Sequence, residues 1–457
     1  MLGVTGLGIV AVLRGGAALS SSSAVEGHRA LSNSSGSLVD SMTEMWGRNF
    51  HHPLGHLFVQ LLVVIVAARL VGKLFAAFGQ PSVVGEMAAG ILLGPSLLGM
   101  VWPTAFAFVF PPDSLQALQL LSQVGVCLFM FSVGMELDIR HLRNKAGAAV
   151  VVSHASIVVP YFLGVLLAYF LFSSMAKPGA TFTAFALFMG ISMSITAFPV
   201  LARILQERGL SQTPLGSTAI ACAAVDDVTA WTLLAFVVAI VRATSLAACA
   251  LNLILVALFI AVMILVVRPG LPRWIGRENL EANDPPKGVL AAVMCLVVGA
   301  SLCTEVIGIH ALFGAFLAGA IMPETGNFRH KLAVRVENFS TVLLLPLFFA
   351  FTGLRTQIGL LNDVQGWLIC FGIIAVATVG KLGGTAITAR VTGMNWRESL
   401  QLGALMNTRG LMELIALNIG YDLGILSPRI FTMLVLMALV TTALTGPLLN
   451  RFRAIGV

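Results

Sequence analysis

The chain has 457 residues, of which 58% are hydrophobic and only 10% are charged, and its mean hydropathy is +0.95. Soluble domains contain about 25% charged residues, so this composition excludes an ordinary soluble protein and predicts an integral membrane protein. The formal charge of +7 comes from basic residues scattered singly in short loops, which argues against nucleic acid as a partner.

Residues 1–53 are predicted to be an N-terminal extension. Residues 1–19 are mildly apolar, but Arg14 interrupts them and no basic n-region precedes them, while residues 20–37 are rich in serine. A signal peptide, a disordered segment and a misassigned start upstream of the true one all remain open.

Apolar runs of about 17 to 25 residues, long enough to cross a hydrocarbon core, recur from residue 54 to residue 450. Glycine, proline and charged residues divide this membrane domain into thirteen predicted spans. The spans are 54–77, 83–99, 115–135, 147–172, 180–206, 214–241, 246–268, 288–306, 308–322, 339–355, 366–391, 400–419 and 429–450. The fold class is therefore an all-α polytopic membrane protein, with residues 451–457 as a short cytoplasmic tail.

The distribution of basic residues predicts the orientation of these spans. If the N-terminus lies outside, the inner loops collect eighteen Lys and Arg residues, whereas the outer loops between spans keep four, namely Lys177, Arg242, Arg355 and Arg429. This bias is the one that the positive-inside rule describes. We therefore expect the N-terminus outside and the C-terminus inside, in a bacterial inner membrane.

The sequence also contains two pairs of similar segments. Residues 88–95 resemble residues 312–319, and residues 125–139 resemble residues 343–358. Because seven spans, an odd number, separate the two copies, the copies have opposite orientations in the membrane. Such inverted repeats are typical of secondary transporters, whose substrate site lies at the midplane where broken helices meet.

Two adjacent carboxylates, Asp226 and Asp227, lie in the middle of the sixth span. An ionised group at the bilayer centre costs several kcal/mol, so such residues are candidates for function. Successive helix positions differ by about 100°, which predicts different roles for the two. Burial and mutual repulsion favour protonation, so a proton and a cation could compete for such a carboxylate. The alternative is a salt bridge that only pins a helix.

Lys381 is the only lysine deep in a predicted span, and it is the natural partner for one of the aspartates. Three glycines beside it allow neighbouring helices to approach closely. The alternative is a lysine near a helix end whose side chain extends to the membrane interface.

Polar residues and helix breakers interrupt two spans in mid-membrane. They are Ser194, Thr196 and Pro199 in the fifth span, and Asn407, Thr408, Arg409 and Gly410 in the twelfth. Proline and glycine let each segment unwind, so that half-helix ends and carbonyl groups face the cation path. We predict that the breaks lie at 196–199 and 407–410.

Arg409 and Glu413 are spaced i, i+4 in the second interrupted span. They could pair only with each other. Alternatively, Arg409 balances charge where the two half-helices cross.

Six motifs in this order resemble the monovalent cation:proton antiporter-2 family, closest to the branch of plant cation/proton exchangers and their bacterial relatives. They are PSVVGEMAAGILLGPSLLG, SITAFPVLARILQERGL, AAVDDVTAWTLLA, GIHALFGAFLAGAIMP, LFFAFTGLRTQIG and MNTRGLMELIALNIG. The resemblance covers about residues 54–450. It identifies the chain as a member of a family of sodium/hydrogen exchanger type.

The resemblance implies a sodium/proton antiporter fold of thirteen helices in which broken helices 5 and 12 cross. It implies that spans 4–6 and 11–13 form a mobile ion-translocating core and that spans 1–3 and 8–10 form the dimerisation side of a homodimer. Asp227 matches the residue that binds the cation or proton, and Asp226 matches its acidic neighbour. Lys381 matches the core lysine that can pair with Asp226. Members with both acids and the lysine are expected to be electrogenic. The chain ends at Val457 without the regulatory domain of many relatives, so we expect no ligand gating through such a tail.

The leading hypothesis is exchange of Na⁺ or K⁺ for protons across the bilayer, with Asp227, Asp226, Thr196 and Ser194 as the binding residues. A gated K⁺ efflux pathway and a sodium-coupled solute symporter are the alternatives. A channel would favour a carbonyl filter such as TVGYG, which is absent from the sequence. The sequence contains no Walker, GxSxG or HExxH motif and no cysteine pattern typical of a metal site, so we expect neither an enzyme nor a cofactor.

Overall fold

The computed structural model describes residues 52–136, 146–211, 213–242, 246–281 and 285–454. Within these ranges the chain is helical with short connections, and no strand occurs there. The helices of the first half are α1 (Pro53–Ala77), α2 (Ser82–Leu93), α3 (Leu98–Val101), α4 (Pro103–Val109), α5 (Leu115–Glu136), α6 (Ala146–Met175), α7 (Phe182–Ser194), α8 (Phe198–Glu207), α9 (Pro214–Arg242) and α10 (Leu246–Val262). Those of the second half are α11 (Arg268–Ile275), α12 (Arg277–Glu281), α13 (Lys287–Ile307), α14 (Ala311–Ala320), α15 (Phe328–Phe339), α16 (Leu345–Arg355), α17 (Val364–Val391), α18 (Trp396–Met406), α19 (Leu411–Asp422) and α20 (Pro428–Ala454).

The predicted all-α membrane fold is confirmed. Among the described residues, eleven helical segments are long and apolar enough to cross a membrane. The ninth and twelfth predicted spans are shorter: α14 has ten residues, and the twelfth span consists of α18 and α19 with a break between them. The count of thirteen spans therefore stays a prediction.

Several predicted boundaries differ from the helices. The predicted extension lies outside the described residues up to residue 51, and α1 begins at Pro53. Helix α20 continues to Ala454, into the predicted tail from 451, and residues 455–457 lie outside the described residues, so the tail stays a prediction. The seventh span extends beyond residue 268 through a π-helical turn and α11, since a proline is tolerated in the first turn of a helix.

The chain divides into a unit of residues 1–58 and a unit of residues 59–457. In the first unit, the described residues are 52–58, which include the start of α1. In the second unit, α2, α5 and α13 to α16 pack together as one group, here called the scaffold bundle. Helices α6 to α9 and α17 to α20 pack together as another group, here called the crossing bundle.

Glycines bring the helices of the scaffold bundle into backbone contact. A Cβ atom added to Gly353 on α16 would lie 2.0 Å from the carbonyl carbon of Gly90 on α2. A Cβ atom added to Gly319 on α14 would lie 2.1 Å from the carbonyl oxygen of Phe131 on α5 and 3.0 Å from Cα of Gly134. Residues 88–95 thus pack against residues 343–358, and residues 312–319 pack against residues 125–139. Each of the four similar segments contacts one from the other half of the sequence, as expected for interlocked repeats.

Candidate ion-binding site

The first helix break separates α7 from α8. Helix α7 ends at Ser194, residues 195–197 are extended or irregular, and α8 begins at Phe198 with Pro199 in its first turn. Proline has no N–H group and fits the first turn, where that group would have no partner within the helix. The break therefore leaves the last carbonyl groups of α7 in the protein interior.

The second break separates α18 from α19. Helix α18 ends at Met406, and Gly410, with φ of 156° and ψ of −131°, precedes the first residue of α19. This backbone conformation strongly favours glycine, which has no Cβ atom to clash. The second break lies at the predicted residues 407–410, whereas the first, at 195–197, only overlaps the predicted 196–199, because Phe198 and Pro199 belong to α8.

The two breaks cross and bond to each other. The Ala197 amide donates to the Thr408 carbonyl at 3.0 Å, and the Thr196 hydroxyl donates to the Met406 carbonyl at 3.0 Å. Buried backbone groups require such partners, because an unmade hydrogen bond in the interior is costly. Each interrupted helix thus satisfies part of the backbone that the other one exposes.

Arg409 occupies the crossing and is fully buried. Its guanidinium donates to the carbonyl groups of Ser192 and Met193 at 2.6 Å each, and to the Glu413 carboxylate at 3.2 Å. The C-terminal end of α7 carries partial negative charge, which the guanidinium compensates. Both readings of Arg409 from the sequence therefore hold at once: it pairs with Glu413, and it lies against a half-helix end.

Asp226 on α9 and Lys381 on α17 form an ion pair with no exposed side-chain surface, with 2.9 Å between Nζ and Oδ2. The Lys381 ammonium also donates to the Ser194 carbonyl at the end of α7. The Ser156 hydroxyl on α6 donates to the other oxygen of Asp226 at 3.2 Å. The ion pair is therefore linked directly to the first break, and the lysine does not extend to the membrane interface.

Asp227 is also completely buried, but it faces different surroundings. It lines a small cavity whose other residues are apolar: Ile195, Ala230, Trp231, Leu234 and Met412. Ile195 belongs to the first break, and Met412 follows the second break by two residues. Asp227 therefore lies beside the crossing, in a small cavity that both breaks help to line.

The remaining predicted site residues also lie at the crossing. The Ser194 hydroxyl donates to the Ile191 carbonyl of its own helix, so it is the Ser194 carbonyl that reaches Lys381. Thr408 lies 3.2 Å from Thr445, measured between the hydroxyl oxygens. Asn407 is fully buried, and its side-chain amide makes no hydrogen bond with the described residues.

Sequence reasoning missed Ser156 and Thr442. The amide of Arg409 donates to the Thr442 hydroxyl at 3.0 Å, and that hydroxyl donates to the Arg409 carbonyl at 2.8 Å, which fixes the backbone of the second break. The cluster of threonines at 441, 442 and 445 was the available signal. Ser156 had none, because a single serine in an apolar helix commonly bonds to its own backbone.

The sequence profile described as "Sodium/hydrogen exchanger, transmembrane" matches residues 61–452 of this chain. The chain belongs to the sodium/hydrogen exchanger family. The resemblance that the six motifs carry is thereby confirmed.

Curated relatives of this family member come from bacteria, plants and fungi. The Na(+)/H(+) antiporter NhaS4 of Synechocystis is 44% identical over 393 residues, which cover 86% of this chain and 96% of the relative. The Cation/H(+) antiporter 17 of Arabidopsis thaliana is 42% identical, over 87% of this chain and 48% of the relative. The K(+)/H(+) antiporter 1 of Saccharomyces cerevisiae is 32% identical, over 88% of this chain and 46% of the relative. The chain thus spans nearly all of the cyanobacterial relative and about half of the other two.

A solved structure has a similar fold. The sodium proton antiporter MjNhaP1 from Methanocaldococcus jannaschii superposes with a TM-score of 0.60, covering 88% of this chain and 98% of that structure. The sequence identity is 15%, so the similarity concerns the fold. This agreement supports the antiporter fold that the motifs implied.

Proposed function

We propose that this chain is a secondary antiporter that exchanges a monovalent cation, Na⁺ or K⁺, for protons by alternating access. The family and the names of the relatives, which are Na⁺/H⁺, cation/H⁺ and K⁺/H⁺ antiporters, support exchange of this class. They do not distinguish between the two cations. Neither a gated K⁺ pathway nor a solute symporter is favoured by these comparisons.

The observation that carries the proposal is the position of Asp227. Its carboxyl group is buried in a small apolar cavity beside two broken helices. A buried carboxylate is costly unless a proton or a cation neutralises it, so the two compete for the same oxygen atoms. When the cavity opens to one side of the membrane, the local concentrations of H⁺ and cation decide which of them binds. Asp227 is thus the carrier of both ions.

Asp226 has a different role in this proposal. Its negative charge is compensated by Lys381 at 2.9 Å and by the hydroxyl of Ser156 at 3.2 Å. Because Lys381 also bonds to the end of α7, the charge state of the pair is coupled to the backbone of the first break. Ser194 and Thr196 hold that backbone beside the carrier. Asp226 and Lys381 therefore tune the site and the charge moved per cycle.

The crossing bundle is the proposed mobile core, and the scaffold bundle is the proposed dimerisation side of a homodimer. The close packing within each bundle supports their moving as separate bodies. The distribution of basic residues supports a bacterial inner membrane with the N-terminus outside and the C-terminus inside.

The function is tested in proteoliposomes that contain a pH-sensitive dye and an imposed proton gradient. Addition of Na⁺, K⁺, Li⁺ or Rb⁺ in turn should dissipate the gradient for at least one cation. Asp227→Asn should abolish that signal, because an amide cannot exchange a proton for a cation. The matched control is Asp363→Asn, which changes a partly exposed aspartate that pairs with Arg429, and it should retain exchange.

Two results would contradict the proposal. Absence of exchange with every cation in the unaltered protein would exclude the function. Full exchange in Asp227→Asn would leave the function intact and exclude the carrier.

A further inference from the structure

Ion pairs at opposite ends of the molecule differ in which bundles they connect. Arg355 is on α16 of the scaffold bundle, and its guanidinium lies 2.6 Å from the carboxylate of Asp422 at the end of α19 in the crossing bundle. At the other end, Arg203 forms its ion pair with Glu207 of its own helix at 3.2 Å, and Glu86 on α2 forms its ion pair with Arg69 on α1 at 3.7 Å, while Arg203 acts on Glu86 only through longer-range charge attraction. The Arg355 pair therefore joins the two bundles directly.

Further contacts reinforce this connection. Arg355 also donates to the Asn418 side-chain oxygen at 2.8 Å, and Asn418 donates to the Thr352 hydroxyl on α16 at 2.9 Å. The guanidinium carbon lies 5.0 Å from the ring centroid of Tyr421, within the range of a cation–π interaction. Thr352, Arg355, Asn418, Tyr421 and Asp422 are called the Arg355 clamp. The Arg355 side chain is 14% exposed, so its contacts are partly shielded from water.

One face of α19 connects the Arg355 clamp to the candidate ion-binding site. Met412 lines the Asp227 cavity, and Ile415, Ile419 and Asp422 line a second cavity that is closer to the end of α19. These positions follow one another at intervals of three or four residues, so they lie on the same helix face. The helix rises about 15 Å between Met412 and Asp422. The route from Asp227 along this face therefore ends at the clamp.

A second contact between the bundles lies at the Asp227 cavity and consists of aromatic rings. Trp231, one helical turn beyond Asp227 on α9, packs edge-on against Phe313 of α14 with ring centroids 5.4 Å apart, and against Phe316 at 6.1 Å. These rings also belong to the two different bundles. Movement of one bundle against the other would have to separate both the rings and the clamp.

We propose that the Arg355 clamp is the gate that keeps the Asp227 cavity closed toward the end of the membrane domain where α16 and α19 terminate. Opening toward this end requires Arg355 to release Asp422 and Asn418. The basic-residue distribution assigns this end to the outside. This inference deepens the proposed function and rests on it for its role in transport, but the gate itself can be measured without an ion gradient.

The test measures how fast a membrane-impermeant maleimide labels a cysteine in the second cavity. Ser122, which is 1% exposed and lines that cavity on α5, is replaced by cysteine in a chain whose six native cysteines are serine. Labelling from the outside should be slow with Arg355 intact and about tenfold faster in Arg355→Gln, a typical size for a coupling between conformational states. Labelling from the inside should not accelerate.

The matched control is Arg429→Gln, which breaks the Arg429–Asp363 pair within the crossing bundle and should leave the labelling rate unchanged. A charge swap, Arg355→Asp with Asp422→Arg, should restore slow labelling. The partner variant Asp422→Asn should also accelerate labelling, which keeps the test valid if Arg355→Gln does not fold.

The gate would be excluded if Arg355→Gln and Asp422→Asn both labelled at the rate of the Arg429→Gln control, or if the charge swap stayed as fast as the single variants. If the Arg355 and Asp422 variants labelled slowly but the unaltered protein exchanged cations for protons normally, the gate would be excluded and the proposed function would stand. Accelerated labelling without exchange in the unaltered protein would support the gate and exclude the antiport.

Discussion

The scaffold and crossing bundles bring helices close together by different means. In the scaffold bundle, Gly353 lies against Gly90 and Gly319 lies against Gly134, so the helix backbones touch each other directly. In the crossing bundle, two helices are broken, and buried charges, including Arg409 and Lys381, bond to the backbone carbonyls of α7. Glycine contacts are rigid and permanent, whereas charged contacts depend on protonation and bound ions. Direct backbone contacts therefore hold the scaffold bundle together, whereas contacts from charged side chains to carbonyl groups hold the crossing together.

The largest expected effect is in the scaffold bundle. Gly353→Val adds a Cβ atom 2.0 Å from backbone of α2, where no side chain can move aside. We expect loss of folded protein, measured as the monodisperse fraction in detergent by size-exclusion chromatography. The matched control is Gly372→Ala on α17, where nothing lies within 4 Å of the added atom, and it should fold normally. Normal folding of Gly353→Val would contradict the rigid contact.

The next effect concerns the crossing. Arg409→Leu leaves Glu413 without its buried partner and the carbonyl groups of Ser192 and Met193 without this donor. Breaking a buried ion pair costs about 3–5 kcal/mol. We expect a marked drop in the melting temperature in detergent.

The control for Arg409→Leu is Arg203→Gln. It breaks a pair with the same i, i+4 spacing, but Arg203 and Glu207 are 39% and 45% exposed. Exposed helix pairs contribute about 0.3–0.5 kcal/mol, so the melting temperature should hardly change. If both variants lowered the melting temperature equally, burial would not explain the contribution of the Arg409–Glu413 pair.

A smaller effect on stability but a clear effect on transport is expected for Lys381→Ala. Without the ammonium, Asp226 keeps the hydrogen bond from the Ser156 hydroxyl, and we expect a smaller loss of stability than for Arg409→Leu, which removes three hydrogen bonds. The pH profile of exchange, or the charge moved per cycle, should change. The dye assay repeated over a range of pH values, with and without a clamped membrane potential, measures both. An unaltered profile would mean that the pair only pins the helices.

The smallest effect is expected at the Asp363–Arg429 pair. The hydrogen bond from Arg429 holds the pKa of the Asp363 carboxyl group below its ordinary value in the folded protein. The pair therefore stabilises the fold above the unfolded carboxyl pKa of about 3.9, and this contribution is lost as the pH falls through the lower folded value. Asp363→Asn should lower the melting temperature slightly at pH 7, and the difference should shrink in acid. If the difference in melting temperature between Asp363→Asn and the unaltered protein grew in acid, the pair would not stabilise the fold through an ionised Asp363.

The sequence by itself determined the membrane class, the regions of the two breaks and the charged residues that lie in the interior. Apolar length fixes where a helix can cross a bilayer, because the backbone must satisfy its own hydrogen bonds there. Proline at 199 and glycine at 410 mark the breaks because of their backbone chemistry. The cost of a buried charge selects Asp226, Asp227, Lys381 and Arg409.

Only the tertiary structure decided which groups meet. Asp226 and Asp227 are adjacent and chemically identical, and they differ by a rotation of about 100° around the axis of α9. Packing turns this rotation into a difference in surroundings, because Asp226 contacts α17 and α6 whereas Asp227 lines a cavity. The Arg355 clamp joins residues more than sixty positions apart, and no local pattern encodes that distance. Packing between helices, rather than the character of each helix, makes these pairings.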